Sequence, residues 1–141
     1  VNTVLPHIKI TSMAYKIPTT HMHLHSLMVT LGDSSVDEDK VIKTFKSTPR
    51  VMLVSGEEGF KSTAHILDYA RELRRGRGDI YENIIWKDSI HVLNGDLYFF
   101  MAVHQESIVI PEDIDAIRAL AGGYSAESSI PLTNKTLGII T

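Results

Sequence analysis

The dipeptide Asn94-Gly95 constrains the fold of this chain more than any other short feature. It separates the β-rich segment Ser89–Leu93 from a longer run, Asp96–His104. A two-residue hairpin turn needs positive φ at both central positions, which asparagine and glycine tolerate best. The sequence therefore predicts a β-hairpin. The nearly continuous apolar run of its second strand predicts that this strand is covered on both faces.

Apolar periodicity and turn residues predict the remaining elements. Four further strands are expected, at residues 7–17, 22–31, 50–54 and 84–86. Three helices are expected: one after the capping-box spelling Ser35-Val36-Asp37-Glu38, one over 62–75, and one opening at Pro111. The tail from Tyr124 has mixed character. The expected fold class is α+β, with a mostly antiparallel mixed sheet and helices on one face.

Three histidines occupy every second position at the start of the second strand: His21, His23 and His25. In an extended strand, alternate side chains lie on the same face. Three interpretations remain open from the residues alone: satisfied buried or interfacial polar groups, metal ligands, or a general base serving a nucleophile. No acidic cluster or His-Glu-x-x-His motif accompanies them, so no metal site is predicted.

Composition excludes several classes of function. The net charge of −3 argues against a nucleic-acid-binding face, and no stretch approaches the ~20 apolar residues of a membrane span. The chain has no cysteine, which excludes disulfides, and shows no signal-peptide pattern at its start. We therefore expect a cytoplasmic protein that contacts neither nucleic acid nor membrane.

Several sequence blocks, taken in order, resemble archaeal glyceraldehyde-3-phosphate dehydrogenase. The most specific are Pro18-Thr19-Thr20-His21-Met22-His23-Leu24-His25-Ser26 and Ala102-Val103-His104-Gln105-Glu106-Ser107. Others are Trp86-Lys87-Asp88-Ser89-Ile90 and Thr133-Asn134-Lys135-Thr136-Leu137-Gly138-Ile139. The resemblance covers nearly the whole chain.

The resemblance implies a phosphorylating dehydrogenase of glycolysis and gluconeogenesis. Its members oxidise glyceraldehyde 3-phosphate, join it to inorganic phosphate and reduce NADP or NAD. By the Pro-Thr-Thr-x-Met-His spelling, the catalytic histidine that activates a cysteine thiol is His23. Gln105 matches the position that contacts the nicotinamide cofactor; the alternative for Gln105 is an amide that binds backbone at a strand end. His25 is expected to have a structural role, and His21 to perturb the titration of His23.

In this family the nucleophilic cysteine and the Rossmann domain lie upstream. We therefore expect the chain to be the C-terminal part of the enzyme, inactive alone. Residues 1–110 would belong to a partial catalytic domain, and residues 111–141 would form a helix and tail that pack on the nucleotide-binding domain. The family resemblance also implies a homotetramer. The rival interpretation is a non-catalytic assembly domain with structural histidines.

Two further segments have alternatives. Gly56-Glu57-Glu58-Gly59-Phe60-Lys61-Ser62 has the wrong glycine spacing for a phosphate loop, and acids fill its centre. Arg74 to Gly78 forms either a solvated loop or a contact to a cofactor phosphate. The run Tyr98-Phe99-Phe100 is typical of a core or a subunit interface.

Overall fold

A computed structural model describes residues 3–19 and 22–140. Within these residues, five strands form one sheet: β1 (His23–Thr30), β2 (Val51–Val54), β3 (Asn83–Trp86), β4 (His91–Leu93) and β5 (Asp96–Val103). The same described residues contain four α-helices: α1 (Glu38–Ser47), α2 (Thr63–Glu72), α3 (Gln105–Ala121) and α4 (Ala126–Leu137).

Strand β5 is the centre of the sheet, because it pairs with three other strands. The strand order is β1-β5-β3-β2, and β4 also pairs with β5. All three of the pairings of β5 are antiparallel, whereas β2 and β3 are parallel. The predicted α+β class and the mostly antiparallel mixed sheet are confirmed.

The predicted hairpin forms at the expected turn. Strands β4 and β5 are joined by Asn94 and Gly95, whose φ angles are 54° and 83°. Both values lie in the left-handed region that this type of turn requires.

Helices pack on both faces of the sheet, whereas the sequence predicted one. Successive strand residues point to opposite faces, so a strand such as β3 needs cover for Ile84 on one side and for Ile85 on the other. The α2-side cluster consists of Met22, Val54, Ile66, Leu67, Ala70, Ile80, Ile84 and Ala102. The α1-side cluster consists of Val41, Ile85, Ile90, Leu97 and Phe99.

Around residues 98–100, strand β5 is covered on one face only, whereas the sequence predicted cover on both faces. Phe99 is buried, with its ring 5.3 Å from that of Phe45 on α1. The neighbouring Tyr98 and Phe100 point the other way and remain 37% and 47% exposed. The apolar run therefore combines a buried stripe with an exposed one.

The strand predicted over residues 7–17 is wrong. The structure gives residues 3–19 no strand or helix, and leaves Val4, Met13 and Tyr15 at least 80% exposed. A strand is stable only when its backbone groups pair with another strand. In the described part of the chain, β1 pairs only with β5, and no strand pairs with residues 7–17.

Helix α3 begins six residues earlier than predicted. Pro111 marks an interior turn of the helix rather than its first residue. A proline there removes one backbone hydrogen bond but continues the helical φ, so the flanking turns can tolerate it. The proposed domain boundary at residue 110 thus lies inside α3. The assignment of residues 111–141 to contacts with another domain stays a prediction.

Helix α4 is absent from the sequence prediction. In its first turn Ser128 Oγ accepts from the backbone N–H of Ser125 at 3.0 Å, and Gly138 ends the helix in the left-handed conformation. Serine, threonine and an internal proline, Pro131, hide this helix from a search for apolar periodicity.

Arg50 holds the α3–α4 pair against the start of β2. Its side chain is 5% exposed, and its Nη1 donates to Glu112 Oε1 at 2.6 Å. Nη2 donates to Asp115, and Nε donates to Asn134 Oδ1 at 2.9 Å. Asp115 also accepts hydrogen bonds from Ser129 (2.5 Å) and Thr133 (2.6 Å). The buried guanidinium of Arg50 is tolerated because it is paired with the carboxylates of Glu112 and Asp115.

We predict that Asp115→Ala destabilises the chain by about 3 kcal/mol at neutral pH, because a buried charge loses its partner. Urea unfolding followed by the fluorescence of Trp86, the single tryptophan, measures the change. Asp113→Ala is the matched control, since Asp113 lies exposed on the same helix. Equal effects of the two substitutions would contradict the role given to Asp115.

The effect of Asp115→Ala depends on pH with a definite sign. Burial opposes ionisation of Asp115, but hydrogen bonds from Ser129, Thr133 and Arg50 outweigh it and hold its pKa below the ordinary value of 3.8. A depressed pKa in the folded state stabilises the protein above the unfolded pKa, and this stabilisation is lost as pH falls through the folded value. The stability difference between wild type and Asp115→Ala should therefore shrink below about pH 4.

Candidate active site

His23 is the first residue of β1. Its backbone is fixed by the buried residue before it and by its partner on the neighbouring strand. Met22 precedes it at φ 64° and is buried in the α2-side cluster. Positive φ is unfavourable for a methionine, and burial of its side chain offsets that cost. His23 then pairs with Val103 in the ladder to β5 and lies on the opposite face. The backbone of His23 is thus held from both sides while its ring remains exposed.

His25 lies on the same face as His23, as the sequence predicted from their spacing. Their ring centroids are 6.5 Å apart, with planes inclined at 57°. Both side chains are exposed, and neither makes a hydrogen bond or ion pair with another described residue. The structure thus does not bury these two histidines, and the interpretation of them as interfacial polar groups stays a prediction. His21 lies outside the described residues, so its predicted influence on His23 stays a prediction.

Gln105 lies at the same end of the sheet as His23. It is the first residue of α3 and follows Val103, the partner of His23, by two positions. A cross-strand spacing of about 5.5 Å and two Cα steps of about 3.8 Å place the two Cα atoms within roughly 13 Å. The Gln105 side chain is exposed and makes no hydrogen bond to the described residues. The alternative that its amide binds nearby backbone is therefore not seen.

The other described histidines near polar groups have local partners. His91 Nδ1 lies 3.3 Å from Glu38 Oε1, and His65 Nδ1 accepts from the backbone N–H of Lys61 at 3.2 Å. His104 is buried and bonds Ser107. Within residues 3–19 and 22–140, no group of three or more His, Asp or Glu side chains is arranged to hold a metal ion.

Carboxylates bind the backbone N–H groups at the start of the segment compared above with a phosphate loop. The backbone N–H of Ser55 donates to Glu58 Oε2 at 3.1 Å, and that of Gly56 donates to Asp88 Oδ2 at 2.6 Å. Carboxylates thus bind the N–H groups that a phosphate would need.

Of the arginines at 74–78, Arg75 is bonded into the fold. Arg75 makes a bidentate pair with the fully buried Glu82, with both distances 2.7 Å. Arg75 Nη2 also donates to the carbonyl of Gly138 at 2.9 Å, and Ile140 N–H donates to Glu82 Oε1 at 2.9 Å. This pair fastens the end of the chain beside β3. The side chain of Arg77 is exposed, and its Nη2 lies 3.4 Å from Asp79 Oδ2.

Comparison with known proteins supports the family that these residues resemble. A family profile described as "Glyceraldehyde 3-phosphate dehydrogenase, C-terminal domain" matches residues 1–102. The chain belongs to this family. It is 51% identical over 139 residues to a glyceraldehyde-3-phosphate dehydrogenase of Archaeoglobus fulgidus, covering 99% of this chain and 40% of that protein.

Other archaeal glyceraldehyde-3-phosphate dehydrogenases match over nearly the same span. The Pyrococcus abyssi protein is 50% identical over 140 residues, and the Picrophilus torridus protein is 49% identical over 137. These alignments cover 99% and 97% of this chain, and 41% and 40% of the relatives. The chain thus spans about two fifths of the length of the curated relatives it matches.

The predicted resemblance to archaeal glyceraldehyde-3-phosphate dehydrogenase is therefore confirmed, whereas the roles given to His23 and Gln105 stay predictions. Among the helices of the described residues, none has the length and apolar character needed to cross a membrane. Sequence reasoning gave no role to Arg50, His104 or Ser107, which the structure places at the end of the sheet that holds His23. His104 and Ser107 are three residues apart, and residues with this spacing lie on the same face of a helix. That spacing was the sequence signal that the two side chains contact each other.

Proposed function

We propose that this chain supplies the catalytic domain of a phosphorylating glyceraldehyde-3-phosphate dehydrogenase of the cytoplasm. The reaction converts glyceraldehyde 3-phosphate, inorganic phosphate and NADP or NAD into 1,3-bisphosphoglycerate and the reduced cofactor. Family membership supports the reaction class. The observation that carries the assignment of residues is the placement of exposed His23 and exposed Gln105 at one end of the sheet.

His23 is the general base in this proposal. A cysteine thiol titrates near 8.5, so a nearby imidazole that takes its proton raises the fraction of nucleophilic thiolate at neutral pH. As the thiolate attacks the aldehyde carbon, the imidazolium returns this proton to the aldehyde oxygen, which gives the hemithioacetal. The neutral imidazole then accepts the hydroxyl proton as hydride leaves for the cofactor. Phosphate oxygen then attacks the thioester, and the thiolate is released. These proton transfers require a ring open to other groups, as the ring of His23 is.

Gln105 is the cofactor contact in this proposal. Its side-chain amide offers two N–H donors and one carbonyl acceptor, which fit the carboxamide of a nicotinamide. Bound NADP or NAD would accept the hydride. The described residues offer no glycine-rich turn for the phosphates of the cofactor, so most of its binding would come from a nucleotide-binding domain.

The cysteine must come from the rest of the same enzyme. None is present among the 141 residues, and the chemistry above requires a thiol. We therefore expect the chain by itself to be catalytically inactive. His25 is assigned a supporting structural role.

We predict that His23→Asn lowers the phosphate-dependent reduction of NADP or NAD by at least ~10²-fold in the full-length protein, because the base is removed. Steady-state assays with glyceraldehyde 3-phosphate, with and without phosphate, measure the effect. His25→Asn is the matched control, because His25 is an exposed histidine two residues along the same face.

The possible outcomes distinguish the role assigned to His23 from the dehydrogenase activity of the full-length protein. Equal loss in both variants, or none in His23→Asn, would remove His23 as the base and leave the dehydrogenase standing. A full-length wild type without activity on either cofactor would favour the non-catalytic assembly domain.

Assembly into a homotetramer through the outer sheet face is a second part of the proposal. Leu24, Met28, Tyr98 and Phe100 share the face opposite α1, and each is at least 37% exposed. A contiguous apolar face of this kind is typical of a protein contact.

We predict that Phe100→Asp dissociates the full-length tetramer, since a carboxylate would be buried in the contact. Light scattering after size-exclusion chromatography measures the mass. Leu73→Asp, at a 37% exposed apolar residue beyond α2, is the control. An unchanged mass for Phe100→Asp would exclude this face as the contact.

A further inference from the structure

A single residue joins the central strand to the helix that carries Gln105. Strand β5 ends at Val103, α3 begins at Gln105, and His104 lies between them. The backbone N–H groups of Ser107 and Ile108 both donate to the carbonyl of His104, at 3.1 and 2.9 Å. The conformation of His104 therefore sets the direction in which α3, and with it Gln105, leaves the sheet.

His104 and Ser107 bind one buried residue of the segment before β3. His104 Nδ1 lies 2.8 Å from Ser107 Oγ, and the backbone N–H of Ile80 is 3.2 Å from each of these atoms. Ser107 Oγ donates to the carbonyl of Ile80 at 2.8 Å. With its single hydroxyl proton given to Ile80, Ser107 Oγ accepts from His104 Nδ1 and from the Ile80 N–H. Ser107 thus binds both backbone polar groups of Ile80, which is fully buried, and His104 orients the hydroxyl of Ser107.

The outer edge of the His104 ring points toward solvent-exposed charge. His104 Nε2 lies 3.4 Å from the carboxylate of Glu106, whose side chain is 69% exposed. His104 itself is 6% exposed and Ser107 is fully buried. The ring is therefore enclosed and held at both nitrogens, unlike the open ring of His23.

We propose that His104 and Ser107 are positioning residues that fix Gln105 relative to His23 by tying the first turn of α3 to Ile80. Among the described residues, no other side-chain hydrogen bond joins residues 105–108 to the sheet or to its entry segments. The next attachment is Arg50, which binds Glu112 and Asp115 two turns further along. The inference rests on the proposed function, because it assigns the contact through which Gln105 is held.

Loss of the Ser107 side chain leaves both buried polar groups of Ile80 short of partners, and loss of the His104 side chain removes the group that orients the Ser107 hydroxyl. The first turn of α3 must then shift or admit water, and Gln105 moves with it. A displacement of about 1 Å at a residue that orients a reactant can cost up to ~10²-fold in rate. His23 is held by Met22 and by the ladder to β5 rather than by hydrogen bonds to α3, so its chemistry should be unaffected.

The test uses the full-length enzyme with Ser107→Ala, His104→Leu and His104→Asn. The asparagine amide can replace Nδ1 near its position, whereas leucine cannot. Two quantities are measured: kcat/KM for the cofactor, and the rate at which iodoacetamide alkylates the reactive cysteine, which reports thiol activation by His23. Val41→Ala, in the α1-side cluster, controls for a general loss of stability.

We expect Ser107→Ala and His104→Leu to lower kcat/KM for the cofactor about tenfold or more, with the alkylation rate unchanged. His104→Asn should restore most of the loss. A cofactor kcat/KM that falls no further than in Val41→Ala would overturn the inference. So would a parallel fall in the alkylation rate, which would indicate general disruption. A wild type that lacks dehydrogenase activity would instead overturn the proposed function itself.

Discussion

The antiparallel ladder between β1 and β5 is the contact on which the candidate site depends. It runs without interruption from the His23–Val103 pair to the Thr30–Asp96 pair. Strand β1 has no other partner among the described residues, so this ladder alone brings the histidines to the end of β5. A slip of one residue would move His23 to the opposite face of the sheet. The alternation of Leu27 toward the α1-side cluster and Met28 toward solvent opposes such a slip.

Charge pairing rather than apolar burial holds α3, the helix that begins at Gln105. Helix α3 exposes Ile117 and Leu120, at 65% and 89%, and so cannot be held mainly by its apolar side chains. Arg50 supplies the attachment instead, reaching from the start of β2 to two carboxylates of α3 and to Asn134 of α4. Hydrogen-bond geometry of this kind specifies one position, whereas an apolar surface permits sliding. The carboxylates of α3 therefore hold the later turns of the helix, beyond the first turn that His104 and Ser107 attach to Ile80.

Features carried by short local rules could be predicted from the sequence. The Asn94-Gly95 hairpin, the helix over most of 62–75 and the shared face of His23 and His25 follow from turn chemistry and periodicity. Features that depend on distant partners could not. The segment 7–17 has a strand pattern but no strand to pair with, and Pro111 resembles a helix start because six preceding helical residues carry no capping signal. Helices on both faces follow from the burial of both Ile84 and Ile85, which a four-residue strand pattern does not reveal.

The pairing of polar groups separates structural residues from candidate functional ones. Arg50, Glu82, His104 and Ser107 are buried, and each is bonded to specific partners, as buried polar groups must be to offset their desolvation. His23 and Gln105 are held rigidly through their backbones, yet their side chains are exposed and make no hydrogen bond to the described residues. A catalytic base must be free to exchange a proton, and a cofactor contact must keep its donors and acceptors for the ligand. Rigid backbone with an open side chain satisfies both demands, and at this end of the sheet the buried set supplies the rigidity that the open set requires.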